Sequence, residues 1–287
     1  MLRRTIAAAV SATAVATIVV LAAPTAAHAA DRNRVETAHN TNTTKTLTAS
    51  CTGGEVLVGA GARVIDGNGS VALVQMVPAA TSVTAKAVAL DSGAGAWSLA
   101  VAAVCRTAAM GTPQIAVSTA PSRTATCPAG TYLSGTGFDL RDAGPLTGLI
   151  PANGLTVTVR TSYTLVGGLG PLAYAVCVPA YSGWWMFTDV SAVGTGSPKT
   201  ATATIGLDPN AYQITGVGGE VTVTGGILTL GGTVFIDGLM PNEDLTSATV
   251  EGVSRPIVVT GLLGRAHREG GSSTWSVTAD ALHPDYY

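Results

Sequence analysis

Histidine, on which most triad and metal chemistry depends, is scarce in this chain of 287 residues. The histidines that follow the first thirty residues are His39, His267 and His283. A catalytic triad needs a histidine held by an acid beside a nucleophile, and the G-x-S-x-G turn of many hydrolases does not occur. None of these histidines has a second histidine at metal-ligand spacing. The sequence therefore predicts no catalytic histidine, no metal and no cofactor.

Carboxylates offer a second route to hydrolysis, because a glycosidase places two of them across a cleft. The candidates fall in two groups, around residue 140 and around residue 245: Asp139, Asp142, Asp237, Glu243, Asp244 and Glu251. Asp237 precedes Gly238 and is predicted to lie in a turn. The others resemble ordinary loop acids, and the alternating acids of a calcium loop are absent. We therefore expect a protein that is not an enzyme.

The two adjacent tryptophans, Trp184 and Trp185, are the most unusual local feature, with Phe187 close behind them. Adjacent side chains in a strand point to opposite faces, so one tryptophan must leave the core side. The favoured interpretation is edge packing between repeats. The alternative is that Trp184, Trp185 and Phe187 form an exposed aromatic contact for a protein or a sugar.

Three copies of one sequence pattern follow each other along the chain. The opening blocks are GEVLVGAGARV at 54–64, GTYLSGTGFDL at 130–140 and AYQITGVGGEV at 211–221. The second blocks are LVQMVP at 73–78, LTGLIP at 146–151 and IDGLMP at 236–241. The closing blocks are WSLAVAAVC at 97–105, LAYAVC at 172–177 and WSVTADALH from residue 275. Such an ordered recurrence indicates an internal repeat.

The repeat selects one of the three pairings that four cysteines allow. An even number of cysteines in an exported chain indicates disulfides. Each of the first two copies has a cysteine before its opening block and one at its end, which predicts Cys51–Cys105 and Cys127–Cys177. In the third copy the equivalent positions are Asp208 and, approximately, His283, and we expect these two residues to lie close together.

A Gly-x-Gly pair occurs in every opening block, but it does not indicate a phosphate loop. A dinucleotide-binding fingerprint needs a helix and a third glycine at the right offset, whereas alternating strand residues follow here. Recurrence of the glycines in all copies favours a β-bulge or a close approach of two backbones.

The local pattern predicts an all-β protein. Apolar residues alternate with polar ones in several stretches, such as 97–105 and 155–161, and turn-forming pairs separate them. Each copy is small for an independent core. We therefore predict three pseudo-repeats that form a β-prism-like body, with tandem small β-sandwich modules as the alternative.

The N-terminus has the layout of a secretory signal peptide, with Arg3 and Arg4, an alanine-rich apolar stretch and an A-x-A site at 27–29. The predicted organisation is a signal peptide at 1–29, a polar, mobile or extended arm at 30–45 and the first repeat at 46–106. The second repeat with a preceding linker strand follows at 107–179, and the cysteine-free third repeat at 180–287. The protein is therefore expected to be secreted and not membrane-spanning.

Charge is low throughout, with 11 % charged residues and 15 basic against 17 acidic side chains. Globular proteins carry roughly a quarter charged residues. Nucleic-acid binding needs a basic face, and no basic run exists here, so nucleic acid is excluded as the expected partner.

The pattern C-P-x-G-x-Y-L-x-G-x-G-F at residues 127–138 resembles repeats of secreted actinobacterial proteins. More distantly it is similar to the repeat unit of vitelline membrane outer layer protein I, whose family is a threefold β-prism. The resemblance implies that fold here. An Asp-Asp-Thr-Ala-Leu-Asn element of that family is missing, so the resemblance carries no function.

These observations favour a non-catalytic secreted interaction protein, an adaptor or subunit of an extracellular or surface assembly with a protein partner. Its polar arm, with Val35 and Leu47 nearby, could add a strand to the edge of a partner's sheet. A lectin-like carbohydrate-binding module, with a glycan as partner, is the alternative, and a secreted hydrolase is the second alternative.

Overall fold

A computed structural model describes residues 30–108, 111–164, 167–179, 183–206, 213–224, 232–256 and 274–285. The first six strands are β1 (Asp31–Glu36), β2 (Thr44–Ser50), β3 (Glu55–Ile65), β4 (Val71–Pro78), β5 (Ser82–Ala89) and β6 (Ser98–Thr107). The next six are β7 (Gln114–Val117), β8 (Thr124–Thr126), β9 (Thr131–Asp139), β10 (Leu146–Ala152), β11 (Thr156–Thr161) and β12 (Leu172–Pro179). The last six are β13 (Gly183–Val190), β14 (Lys199–Thr204), β15 (Gly216–Thr224), β16 (Gly232–Pro241), β17 (Ser247–Pro256) and β18 (Thr274–Asp285).

These strands form three six-stranded antiparallel sheets, and every sheet combines strands from two repeats. The orders are β1-β6-β3-β16-β17-β14, β7-β12-β9-β4-β5-β2 and β13-β18-β15-β10-β11-β8. Each six-strand unit thus gives its first, sixth and third strands to one sheet and its fourth, fifth and second strands to the next. The predicted all-β, β-prism-like body of three repeats is confirmed. Tandem modules are wrong, because a tandem module would keep its strands within its own sheets.

The polar N-terminal segment is part of this body. Asp31–Glu36 forms β1, which pairs with β6 from Asp31 opposite Cys105 to Glu36 opposite Ala100. Strand β2 pairs in turn with β5 of the same unit. Of the predicted mobile or extended arm, β1 is extended and paired within the protein. That it adds a strand to a partner's sheet stays a prediction. By its place in the sheet, β1 is the counterpart of β7 and β13.

The first glycine of each Gly-x-Gly pair lies where the three units meet. A Cβ atom on Gly59 would stand 1.5 Å from the carbonyl oxygen of Thr215, and one on Gly216 would stand 2.3 Å from that of Ser134. A Cβ on Gly135 would stand 2.7 Å from the Cα of Gly59. The contacts run from unit one to unit three, from three to two and from two to one, so they close a ring about a pseudo-threefold axis.

The second glycine of each pair makes room for a proline of the preceding unit around that axis. A Cβ added at this glycine would approach the proline Cδ to 2.5 or 2.6 Å, and the pairs are Gly61 with Pro241, Gly137 with Pro78 and Gly218 with Pro151. The ladders β3–β6 and β9–β12 also shift register just before the first glycine. Of the two predicted explanations, close backbone approach is confirmed in all three units, and a register shift accompanies it in the first two.

One hydrophobic core fills the space between the sheets. Leu57, Leu133 and Ile214, which align in the three opening blocks, are each fully buried in it. Small side chains build much of the rest, as in the inward row Leu99, Val101 and Ala103 of β6. The alternation read from the sequence therefore identifies the inward face of the strands correctly.

Both predicted disulfides are present, Cys51–Cys105 and Cys127–Cys177. Each joins the residue that follows a terminal strand, β2 or β8, to an inner strand of the adjacent sheet, β6 or β12. They therefore tie two of the three corners of the prism, and they are consistent with an extracellular or other oxidising environment. Asp208, the expected neighbour of His283 at the third corner, lies outside the described residues.

Across the described ranges, the chain has no helix with the length and apolar character needed to span a membrane.

Candidate binding surface on strand β13

Strand β13 is the terminal strand of its sheet and carries the adjacent tryptophans. It pairs with β18 from Gly183 opposite Asp285 to Val190 opposite Thr278. At the corner, where β13 lies beside β14 of the next sheet, the carboxylate of Asp189 accepts a hydrogen bond from the Thr202 backbone N–H at 3.4 Å. This pairing holds β13 in place along its whole length.

Trp184 makes contacts between two repeats. Its indole Nε1 donates a 2.7 Å hydrogen bond to the carbonyl of Leu133 on β9. The ring also lies against Gly154, where an added Cβ would stand 2.9 Å from the indole Cδ2. Phe187 is likewise half-buried and packs against the core. The favoured interpretation, edge packing between repeats, thus describes Trp184 and Phe187.

Trp185 points to the opposite face of the strand from Trp184 and is 54 % exposed. Met186, Val190 and Val193 are also exposed, at 39, 53 and 59 %. Trp185 lies on one face of β13 and Met186 and Val190 on the other, with Val193 just after the strand, and we call these four residues the β13 patch. The counterpart of β13 in the second unit, β7, shows only Val117 among the exposed large apolar residues of its strand. Several large exposed apolar side chains on and beside one terminal strand are characteristic of contact surfaces.

The described histidines have structural partners. The Nε2 of His39 lies 3.2 Å from the Asp66 carboxylate at the surface. His283 is buried, and its Nδ1 donates to the carbonyl of Gln213 at 2.6 Å. His267 lies outside the described residues. Among the residues described, no group of three or more histidine, cysteine, aspartate or glutamate side chains is placed to hold a metal ion.

The candidate acids occupy turns and strand faces on different sheets. Asp142 accepts hydrogen bonds from the backbone of Leu169 and Gly170, and Asp139 accepts one from the N–H of Arg141. Asp244 accepts from Thr246 in the turn after β16, beside Glu243. Glu251 lies on β17 and pairs with Arg63 of β3. These contacts account for the acids as structural residues.

Asp237 differs from its predicted place in a turn. It lies within β16 at the point where the β16–β17 ladder shifts register between Ile236 and Gly238, and it is only 3 % exposed. Burial, and then the nearby charge of Glu251, raises the pKa of its carboxyl well above the ordinary value, although Arg63 partly opposes this. The turn prediction is wrong because the Asp-Gly pair fits a β-bulge as well as a turn.

Asp237→Asn is expected to raise stability at neutral pH and to leave it nearly unchanged near pH 4. An acid whose pKa is raised in the folded state contributes its full share of folding stability below its unfolded pKa of about 4. That stability is lost as pH rises through the folded pKa. We expect thermal unfolding at pH 8 to show a gain of about 3 °C or more, since roughly 1 kcal/mol shifts Tm by about 2–4 °C at this size. An equal gain at pH 4 and pH 8 would contradict a raised pKa of the buried carboxyl. Asp142→Asn, at an acid bound to loop N–H groups, is the control.

No protein-family model matches the chain, and no curated protein matches it at a significant level. The resemblance to the vitelline membrane outer layer family stays a prediction.

Proposed function

We propose that the protein is a non-catalytic secreted interaction protein that binds an extracellular protein through the β13 patch. The observation that carries this proposal is that the two adjacent tryptophans differ in burial and in their contacts. Trp184 packs between two repeats, whereas Trp185 is 54 % exposed on a strand held by a continuous ladder.

The energetics of association support a role for Trp185. Tryptophan is enriched among the residues that dominate binding energy, because it buries a large area with little loss of side-chain entropy. Met186, on the opposite face of the same terminal strand, adds an adaptable apolar contact. A surface of this kind, prearranged on a paired strand, binds with a low ordering cost.

The leader and the disulfides support the secreted location. The A-x-A site at 27–29 is typical of an exported chain, and two disulfides persist where the environment is oxidising. An extracellular assembly is therefore the setting that we propose.

Trp185→Ala is expected to weaken partner capture from native culture filtrate at least tenfold, with unfolding free energy changed by no more than about 0.5 kcal/mol. Trp184→Ala is expected to cost about 2 kcal/mol or more of stability, since it removes a packed ring and a hydrogen bond. Capture on immobilised protein, followed by denaturant unfolding of each variant, measures both effects.

Val117→Ser on the counterpart strand β7 is the matched control, because Val117 is 45 % exposed outside the β13 patch. It should leave capture unchanged. Capture that survives Trp185→Ala, or that Val117→Ser reduces equally, would contradict the proposal. If Trp185→Ala destabilises the fold as much as Trp184→Ala, Trp185 is a packing residue and the proposal fails.

A further inference from the structure

A basic pocket lies on the outward face of another sheet, the one that begins with β1. Arg32 and Arg34 of β1 line it together with Arg63 of β3, and Met240 and Pro241 of β16 add apolar surface. Its volume is about 200 Å³. Sites for drug-sized ligands are typically 300–1,000 Å³, so this pocket fits a ligand the size of one small ring.

Small residues stand between the arginines of β1 and strand β16. Strand register places Arg34, Ala102 and Gly61 side by side on β1, β6 and β3. The corresponding rows of the other sheets are Val117, Tyr174 and Gly137, and Thr188, Asp280 and Gly218. Alanine stands in the first sheet where tyrosine and aspartate stand in the others. The three arginines and the small middle residue of this row are therefore specific to this sheet. The glycine of the row is common to all three sheets.

The charges in the pocket are only partly balanced. Arg63 pairs with Glu251 at 2.6 Å, and Arg34 pairs with Glu36 at 3.0 Å. Arg32 forms no ion pair with a residue that the structure describes, and its buried Nε has no hydrogen-bond partner. Burial, together with the neighbouring charge of Arg34, lowers the pKa of Arg32, although Glu243 partly opposes this. An anion beside Arg32 would satisfy its Nε and relieve the repulsion.

We propose that this pocket binds the carboxylate of a uronic acid unit in an acidic saccharide, with Arg32 and Arg34 as the carboxylate's partners. Arginine recognises a carboxylate through two parallel N–H···O bonds, a geometry that a planar carboxylate satisfies well. The apolar side chains of Met240 and Pro241 offer contact to the C–H face of a sugar ring.

The position of the pocket favours a compact ring over a peptide. A peptide commonly adds a strand to a sheet edge, where its backbone finds partners. Although β1 is a terminal strand, this pocket lies on the face of the sheet across β1, β3, β16 and β17, and β13 belongs to a different sheet. The saccharide site is therefore separate from the proposed protein contact and can be tested independently.

Titration of the folded protein with D-galacturonate and with tri-galacturonate, followed by calorimetry at low and physiological salt, tests the proposal. We expect saturable binding that weakens as salt rises, because the contact is a charge pair near the surface. Arg32→Gln and Arg34→Gln should each reduce affinity at least fivefold. Far-UV circular dichroism and Tm of both variants verify that they fold.

Two controls make the outcome decisive. Galactose, the same ring without the carboxylate, should not bind, and Arg160→Gln should leave binding unchanged because the Arg160–Glu220 pair occupies the corresponding place on another sheet. Galacturonate binding that is absent, or that persists in the Arg32 and Arg34 variants, would overturn the proposal. Equal binding of galactose, or of N-acetyl-aspartate as a peptide-like carboxylate, would overturn it as well.

Discussion

Gly59→Ala is expected to prevent the three repeats from closing around their axis. A Cβ at this position would stand 1.5 Å from the Thr215 carbonyl oxygen and 2.5 Å from its carbonyl carbon. Real Cβ atoms do not come so close to other atoms. Because the clash is with backbone atoms of Thr215, no side-chain rotation relieves it. Strands β3 and β15 would have to separate.

The separation would also break buried hydrogen bonds at the axis. The Ser134 hydroxyl donates to the Val58 carbonyl at 2.6 Å, and the Thr215 hydroxyl donates to the Ser134 carbonyl at 2.8 Å. All of these groups are buried, and a buried polar group without a partner costs about 1–3 kcal/mol. We therefore expect Gly59→Ala to lower the free energy of unfolding by about 4 kcal/mol or more, which is in the exceptional range for one substitution.

Guanidinium unfolding of the oxidised protein measures this loss. Gly196→Ala is the control, because an added Cβ there meets nothing within 4 Å. It should change stability by no more than about 0.5 kcal/mol. A Gly59→Ala variant as stable as Gly196→Ala would contradict the close approach of the three units.

Removing Cys51–Cys105 by the double change Cys51→Ala and Cys105→Ala is expected to cost about 4 kcal/mol. The disulfide spans 54 residues, and the chain-entropy relation assigns about that value to a loop of this length. The bond also joins the end of β2 to β6 in the adjacent sheet, so its loss frees a corner of the prism.

The same double change at Cys127 and Cys177, which are 50 residues apart, should have a similar effect. Urea unfolding of both variants beside the oxidised parent gives the comparison. In the parent, amide exchange should be fastest at the third corner, where β13 and β14 have no disulfide beside them. Loss of less than about 1 kcal/mol from either pair would contradict the account of the corners.

The repeat could be predicted from the sequence because its glycines and prolines have defined structural roles. The order of a Gly-x-Gly pair followed by a proline recurs in every copy, and these residues are needed where backbones approach. The exchange of strands between units was not readable. Sequence similarity identifies equivalent strands but does not say which unit supplies the neighbour across a sheet.

The candidate sites could be predicted from the sequence only in part. Adjacency of Trp184 and Trp185 predicts that one side chain leaves the core, but the direction depends on Leu133 and Gly154, which belong to another repeat. The arginine pocket was missed. Arg32 and Arg34 alternate as in a strand, and that alternation was a usable signal. Their pocket, however, also depends on residues of β3 and β16 that are distant in the sequence.

Site-specific photo-crosslinking from position 185 tests the central claim, a binding surface on β13, most directly. A Trp185→p-benzoylphenylalanine variant would be irradiated in native culture filtrate beside a Val117→p-benzoylphenylalanine variant on the counterpart strand. The account expects one discrete protein to be joined to position 185 and not to position 117. No cross-linked protein at position 185, or the same set of proteins at both positions, would contradict it.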